Sequence, residues 1–191
     1  PGEWVKGPGY KLFAAVKEEL GELNIIAEDL GFMTDEVIEL RERTGFPGMK
    51  ILQFAFNPED ESIDSPHLAP ANSVMYTGTH DNNTVLGWYR NEIDDATREY
   101  MARYTNRKEY ETVVHAMLRT VFSSVSFMAI ATMQDLLELD ETARMNFPST
   151  LGGNWSWRMT EDQLTPAVEE GLLDLTTIYR RINENLVELK K

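Results

Sequence analysis

The chain has 191 residues, with 32 acidic against 18 basic side chains and a formal net charge of -14. Such a surface repels nucleic acid and anionic membranes, so a neutral small molecule or a sugar is the better expectation for a partner. The absence of cysteine excludes disulfides and thiolate metal sites and suits a cytoplasmic location. No apolar run is long enough to cross a membrane.

The first part of the chain predicts two helices with one short strand between them. Apolar residues recur at helical spacing from Tyr10 to Leu20, and Gly21 follows as a stop signal. The run 24–29 (NIIAED) is apolar and ends in acids, which predicts a buried strand. Thr34 then caps a second helix, which ends in the basic, glycine-terminated sequence RERTG.

The rest of the chain continues the alternation of strands and helices. The nearly continuous apolar run 50–56 (KILQFAF) predicts a strand covered on both faces. A polar, proline-rich loop over 57–72 leads to a third strand at 73–79 (SVMYTGT). Helical patterns fill 84–122, and 126–133 (SFMAIATM) predicts a fourth strand.

Alternating strands and helices indicate a parallel sheet of the α/β class. Both a doubly wound sheet and a (β/α)8 barrel fit this pattern, but neither G-x-G-x-x-G nor G-x-x-x-x-G-K occurs in the sequence. The turns after the strands instead carry carboxylates and amides, and a barrel builds its active site at the carboxyl ends of its strands. Four strands make half of such a barrel, whose full form needs about 250 residues.

The strand ends offer four groups of candidate residues: Glu28 with Asp29, Gln53, His80 with Asp81, and Asn154. Paired carboxyl groups suit glycoside chemistry, in which one protonates the leaving oxygen and another attacks or stabilises an oxocarbenium-like centre. Amides and imidazoles hold sugar hydroxyls, and aromatic faces stack on sugar rings. The aromatic candidates are Phe54, Tyr76, Trp88, Trp155 and Trp157. No D-x-D-x-D-G loop or H-E-x-x-H motif supports a metal site.

Structural roles compete with functional ones at several of these positions. An acid after a strand is most often a solvated loop residue or a helix cap, which is our prediction for Asp29. Asn83 can cap the helix that follows it, and His80 can be a hydrogen-bonded structural imidazole. Trp88 is expected to pack in the core, whereas Trp155 could pack or bind.

Four longer stretches resemble one enzyme family. They are IIAEDLGFMTDEVIELRERTGFPGMKILQFAF (25–56), YTGTHDNNTVLGWY (76–89), MQDLLELDETARMNFP (133–148) and GGNWSWR (152–158). Their combination and order resemble the C-terminal part of the 4-α-glucanotransferases, also called amylomaltases or disproportionating enzymes. The resemblance covers essentially the whole chain. It implies a (β/α)8 TIM barrel of the α-amylase clan, no cofactor, no metal ligand, and maltodextrin or another α-1,4-glucan as substrate.

The resemblance also implies a role for each candidate residue. Glu28 would be the general acid/base at the end of the fifth barrel strand, and Asp81 the transition-state stabiliser at the end of the seventh. His80 would hydrogen-bond hydroxyls of the sugar at the cleavage position. Gln53 and Phe54 would lie near the substrate cleft on the sixth strand, and Asn154 would contact glucan.

The sequence departs from the family in one respect: it contains no R-x-D-H, the motif that carries the nucleophilic Asp. We therefore expect residues 1–191 to be the C-terminal portion of the barrel, about strands 5 to 8 and the helices after them, with the N-terminal half absent. Such a fragment would be inactive alone and could self-associate. Two alternatives stay open, an α-1,4-glucan hydrolase of the same clan and a non-catalytic glucan-binding module.

Overall fold

The computed structural model describes residues 2–3 and 5–182, which form three short strands and seven α-helices. The strands are β1 (Gly48–Ile51), β2 (Ser73–Tyr76) and β3 (Met128–Ile130). The helices are α1 (Tyr10–Leu20), α2 (Asp35–Thr44), α3 (Val85–Asn91), α4 (Asp95–Tyr104), α5 (Val113–Ser123), α6 (Met133–Leu136) and α7 (Pro166–Ile178). Short 3-10 turns occupy Leu52–Ala55, Glu141–Ala143 and Glu161–Gln163.

The strands form one parallel sheet in the order β1-β2-β3, which confirms the predicted α/β class. Tyr76 is in register with Ile51 on one side and with Ile130 on the other. The Thr77 N–H extends the ladder by one bond, donating to the Ile130 carbonyl over 3.2 Å. All three strands therefore end at the same edge, where the loops that follow them converge.

The predicted strand over 24–29 is wrong in extent, because it is reduced to a single parallel bridge between Ala27 and Gly48. The ladder stops there because the Asp29 side chain turns back toward β1. Its carboxylate accepts the Met49 N–H over 2.6 Å, and the same carboxylate binds Arg41. A side chain has thus replaced the backbone pairing that a longer strand would have made.

The predicted strand over 50–56 is also too long, since β1 ends at Ile51 and a 3-10 turn follows. Its partner β2 ends opposite, at Tyr76, so the segment has no ladder to continue. The turn keeps Leu52, Gln53 and Ala55 buried while Phe54 is half exposed. An apolar run cannot reveal this change by itself, because a strand and a buried turn both need apolar side chains.

The helices were predicted more closely. Helix α1 has the predicted bounds. Helix α2 begins directly after Thr34 and ends at Thr44, before Gly45, whose φ of 73° is left-handed. The predicted cap by Thr34 is wrong in one respect, because its side chain makes no capping hydrogen bond. The stretch 84–122 contains three helices, α3 to α5. In the part of the chain that the structure describes, none of the helices is long and apolar enough to span a bilayer.

The main core lies between the sheet and helices α3, α4, α5 and α7. Leu52 and Met75 from the sheet side meet Val85 of α3, Met101 of α4 and Val121 of α5, and all five are fully buried. Trp88 is buried too, as predicted, and its ring centroid lies 5.9 Å from that of Phe56. This packing fixes one face of the sheet and supports the loops at its carboxyl edge.

Candidate active site

A cleft of about 650 Å³ opens at the carboxyl ends of the strands. Four of the six predicted site residues line it, namely Glu28, Phe54, His80 and Asp81, together with Tyr76. Each of the four predicted residues comes from a segment that directly follows a strand or the Ala27 bridge, and Tyr76 is the last residue of β2. The topology therefore brings together residues that are more than 50 positions apart in the sequence.

The loop that carries His80 and Asp81 is held by its own side chains. Asn82 Oδ1 accepts the Thr79 N–H over 2.8 Å and the Thr79 hydroxyl over 2.9 Å. The Asp81 N–H donates to Thr79 Oγ1 over 3.3 Å. These local bonds leave the loop few alternative conformations, so its hydroxyl and amide side chains serve to hold the backbone that presents His80 and Asp81.

Asp81 is anchored by residues from a distant part of the chain. Asn146 Nδ2 donates to Asp81 Oδ1 over 2.6 Å, and Arg144 Nη2 donates to the Asp81 carbonyl over 2.7 Å. His80 Nε2 lies 3.4 Å from the same Asp81 oxygen. The Asp81 side chain nevertheless stays about half exposed. The carboxylate is thus fixed in direction while it can still face a ligand.

His80 pairs with an aromatic ring. The centroids of the His80 and Trp155 rings are 4.8 Å apart, with 39° between their planes. Trp155 adopts a left-handed backbone conformation with φ of 60°, and its N–H donates to the Met145 carbonyl over 2.7 Å. About half of Trp155 is exposed. Of the two roles left open for Trp155, this position favours one at the site.

Glu28 and Asp29 are neighbours with opposite environments. Glu28 is exposed and lines the cleft. Asp29 was predicted to be a solvated or capping residue, and this prediction is wrong, because its side chain is buried in an ion pair with Arg41 of 2.5 Å. The buried ion pair links the segment that follows the Ala27 bridge to helix α2. It thereby holds the backbone from which Glu28 projects.

Gln53 and Phe54 lie at different depths. Phe54 forms part of the cleft wall. Gln53 is only 5% exposed, and its Nε2 donates to the Asn83 carbonyl over 2.9 Å. Gln53 therefore supports the underside of the His80–Asp81 loop. A Cβ on Gly78 would meet Gln53 Nε2 at 2.7 Å, so a side chain there would force the Gln53 amide to move away from its place beneath the loop.

Two amides have structural partners that the sequence did not reveal. Thr84, not Asn83, caps α3, because Thr84 Oγ1 accepts the Gly87 N–H over 3.1 Å. Asn83 Nδ2 instead donates to Glu92 Oε1 over 2.7 Å. Asn154 lies outside the cleft wall: its Oδ1 accepts the Phe147 N–H over 3.0 Å, within its own loop. The structure therefore does not bring Asn154 together with the other predicted residues.

The sequence reasoning missed three residues that support the site: Asp135, Arg144 and Asn146. All three fall in the stretch MQDLLELDETARMNFP, which carries part of the family resemblance but whose individual residues received no predicted role. Within residues 2–3 and 5–182, no group of three or more His, Asp or Glu side chains is placed to hold a metal ion.

The fold is a parallel α/β sheet, and the cleft at its carboxyl edge is lined by acids, an imidazole and aromatic rings. These features define a class of α/β proteins that bind a polar ligand at this edge. A family model described as 4-alpha-glucanotransferase, glycoside hydrolase family 77, matches residues 1–165. The chain belongs to this family, which confirms the resemblance seen in the sequence.

Individual relatives agree with this assignment. The chain is 99% identical over all 191 residues to a 4-alpha-glucanotransferase of Streptococcus pneumoniae and spans 38% of that protein. It is 46% identical to a 4-alpha-glucanotransferase of Clostridium butyricum over 94% of the chain and 37% of the relative. The solved structure of an amylomaltase from Streptococcus agalactiae in complex with acarbose matches 95% of the chain and 37% of its own, with a TM-score of 0.91 and 44% identity.

Proposed function

We propose that this chain is part of a retaining 4-α-glucanotransferase, which transfers segments of α-1,4-glucan between maltodextrins. The observation that carries the proposal is the shared cleft of Glu28, His80 and Asp81. Its acidic groups suit glycosidic chemistry, and its aromatic and imidazole groups suit a sugar ring. The names of the relatives support the same activity. The cysteine-free composition suits the cytoplasm, which we propose as the location.

Each cleft residue takes a distinct part in the proposed reaction. Glu28 protonates the leaving glucan and later deprotonates the 4-OH of the acceptor glucan. Asp81, held by Asn146, stabilises the positive charge that develops at the anomeric carbon. His80, braced by Trp155, holds sugar hydroxyls. The nucleophile comes from the part of the protein outside these 191 residues, as does the rest of the cleft.

We further propose that the chain forms the C-terminal half of a (β/α)8 barrel. The parallel sheet and the chain's 38% share of the pneumococcal relative support this architecture. Strand β3 supports it as well, because it lies at the edge of the sheet and begins at an exposed Met128, directly after the exposed Phe127. A closed barrel would pair this edge and cover those side chains.

The test uses the full-length pneumococcal relative carrying this chain's sequence, with maltotriose as substrate. We expect Glu28→Gln to lower kcat by at least about 10²–10⁴-fold while acarbose still binds, because an amide cannot donate the acid proton. Asp81→Asn should likewise lower kcat far more than binding, since its charge acts in the transition state. The control, Asp174→Asn, changes an exposed carboxylate on α7 and should have no effect.

The products and the variants separate the rival functions. A transferase converts maltotriose into a ladder of longer maltodextrins, whereas a hydrolase yields only glucose and maltose. A binding module would retain acarbose and show no turnover even before mutation. Near-normal transfer by Glu28→Gln would refute the acid/base role, and a change confined to KM in Asp81→Asn would reduce that residue to a binding group.

A further inference from the structure

Asp135 is a buried carboxylate to which the proposed reaction gives no role. It lies in α6, directly after β3, and is 1% exposed. Its Oδ2 accepts the Thr77 hydroxyl over 2.6 Å, and its Oδ1 accepts the Val85 N–H over 2.7 Å. Its own N–H donates to Thr132 Oγ1 over 3.2 Å. The two carboxylate oxygens are thus used for two different segments of the chain.

Those two segments bracket the loop that carries the proposed catalytic residue. Thr77 is the first residue after β2, and Val85 is the first residue of α3. The seven residues between them, 78–84, include His80 and Asp81. Thr77 and Val85 are both fully buried, so the contacts lie beneath the loop rather than in the cleft. One carboxylate therefore fixes the start and the end of the loop to the layer formed by β3 and α6.

A carboxylate at this position is costly. Burial raises the pKa of the Asp135 carboxyl, because the charged form loses its water. Its hydrogen-bond partners in the described residues are hydroxyl and N–H groups rather than a cation, so no ion pair offsets that cost. An apolar side chain could fill the space between β3 and α3 without this penalty. Holding both loop ends is a function that an apolar side chain cannot provide.

We propose that Asp135 is a positioning residue for Asp81, acting through the two ends of the 78–84 loop. The inference rests on the proposed function, because it concerns the same reaction. Asn146 binds the Asp81 carboxylate and Arg144 binds the Asp81 carbonyl. Asp135 instead holds the two buried ends of the loop, at Thr77 and Val85. Misplacing a catalytic group by 1 Å can lower the rate by about 10²-fold.

Three substitutions in the full-length pneumococcal relative carrying this chain's sequence test the proposal. Asp135→Ala removes both hydrogen bonds and should lower kcat for maltotriose transfer by about 100-fold, with acarbose affinity changed less than about threefold. Asp135→Asn should restore kcat to within about tenfold of wild type. Its amide can accept from Val85 and donate to Thr77 Oγ1, since a hydroxyl serves as donor or acceptor. Thr77→Val keeps the volume and removes the bond to Asp135, together with the weak 3.5 Å bond from the Thr132 N–H, so an intermediate loss is expected.

The readouts distinguish positioning from simple destabilisation. Steady-state kcat and KM are measured well below the melting temperature of each variant, with acarbose affinity by calorimetry and the exposed Asp174→Asn as control. If Asp135→Ala does not fold, Thr77→Val and Asp135→Asn carry the test. The proposal is supported if kcat falls by about 100-fold in Asp135→Ala, by an intermediate factor in Thr77→Val and by less than about tenfold in Asp135→Asn, while acarbose affinity is preserved. Normal kcat in Thr77→Val and Asp135→Ala, or loss of acarbose affinity in parallel with kcat, overturns it.

The same assays separate failure of this inference from failure of the proposed function. If wild-type enzyme makes no transfer products, or if Asp81→Asn is fully active, the proposed function or the role of Asp81 is wrong. If Asp81→Asn is inactive but removing the Asp135 bonds changes nothing, the function stands and the positioning role is refuted.

Discussion

Replacing Glu111 by Gln should destabilise the protein in a manner that depends on pH. The Glu111 side chain is 7% exposed and lies where the segment after α4 enters α5. Arg119 binds it twice, with Nε on Oε1 at 2.8 Å and Nη2 on Oε2 at 2.9 Å. His115 Nδ1 lies 2.8 Å from Oε1, and the Lys108 N–H donates to Oε2 over 3.3 Å. An amide cannot accept this set of donors on both of its atoms.

The magnitude follows from the pKa of this group. Hydrogen bonds from the Arg119 guanidinium, which exceed the opposing effect of burial, lower the pKa of the Glu111 carboxyl from 4.5 to about 2. At about 1.4 kcal/mol per pKa unit, the upper limit of the stabilisation is about 3.5 kcal/mol. Because Arg119 and His115 are partly exposed to solvent, which screens the charges, we expect about 2 kcal/mol.

The sign of the pH dependence is fixed by the direction of the shift. A carboxyl whose pKa is lower in the folded state stabilises that state fully above pH 4.5 and progressively less as the pH falls toward 2. The unfolding free energies of wild type and Glu111→Gln should therefore differ most at pH 7. Less than about half of that difference should survive at pH 3.

Urea unfolding of the full-length pneumococcal relative carrying this chain's sequence, followed by circular dichroism at pH 7 and pH 3, measures the effect. Glu109→Gln provides the matched control, since Glu109 is exposed and only two residues away. Carboxyl groups elsewhere titrate in both proteins and cancel in the comparison. A difference of less than about 0.5 kcal/mol at pH 7, or one that is equal at both pH values, would refute the reasoning.

Two further outcomes are expected. Gly78→Ala should lower transferase kcat by about tenfold or more, because the new methyl group displaces Gln53 from the Asn83 carbonyl beneath the loop. In the control Gly171→Ala the methyl group enters free space, so full activity is expected. Residues 1–191 expressed alone should release no glucose from maltotriose and should self-associate through the β3 edge, where Phe127 is more than half exposed. A folded, active monomer by light scattering and glucose assay would contradict the second expectation.

The sequence predicted the elements whose pattern is local. The bounds of helix α1 could be predicted because both signals are local: its apolar residues recur every three or four positions, and Gly21 directly follows its last residue. The loop after β2 was recognisable as a site because its polar run interrupts two apolar ones. The limits of the strands were harder to predict, since a ladder ends where its partner ends. Gln53 accordingly lies in a 3-10 turn rather than in the strand expected from its apolar neighbours.

The supporting residues could not be predicted because their roles are defined by contacts across the fold. Asp29 and Asp135 follow the same rule in the sequence, an acid just beyond a strand, as does the exposed Glu28. Only the three-dimensional arrangement shows that Asp29 and Asp135 point into the protein and Glu28 into the cleft. Asn154 illustrates the converse, because its own loop uses the amide that seemed available for sugar.

The contact between Trp155 and His80 gives the cleft an optical reporter of its own. Excited indole emits in the near ultraviolet, and that emission responds to the groups in van der Waals contact with the ring. The ring of Trp155 lies 4.8 Å from that of His80, between centroids, at the cleft, whereas Trp88 lies in the core against Phe56. A sugar that entered between solvent and the two rings would change the surroundings of Trp155, and its emission would report the binding without any added label.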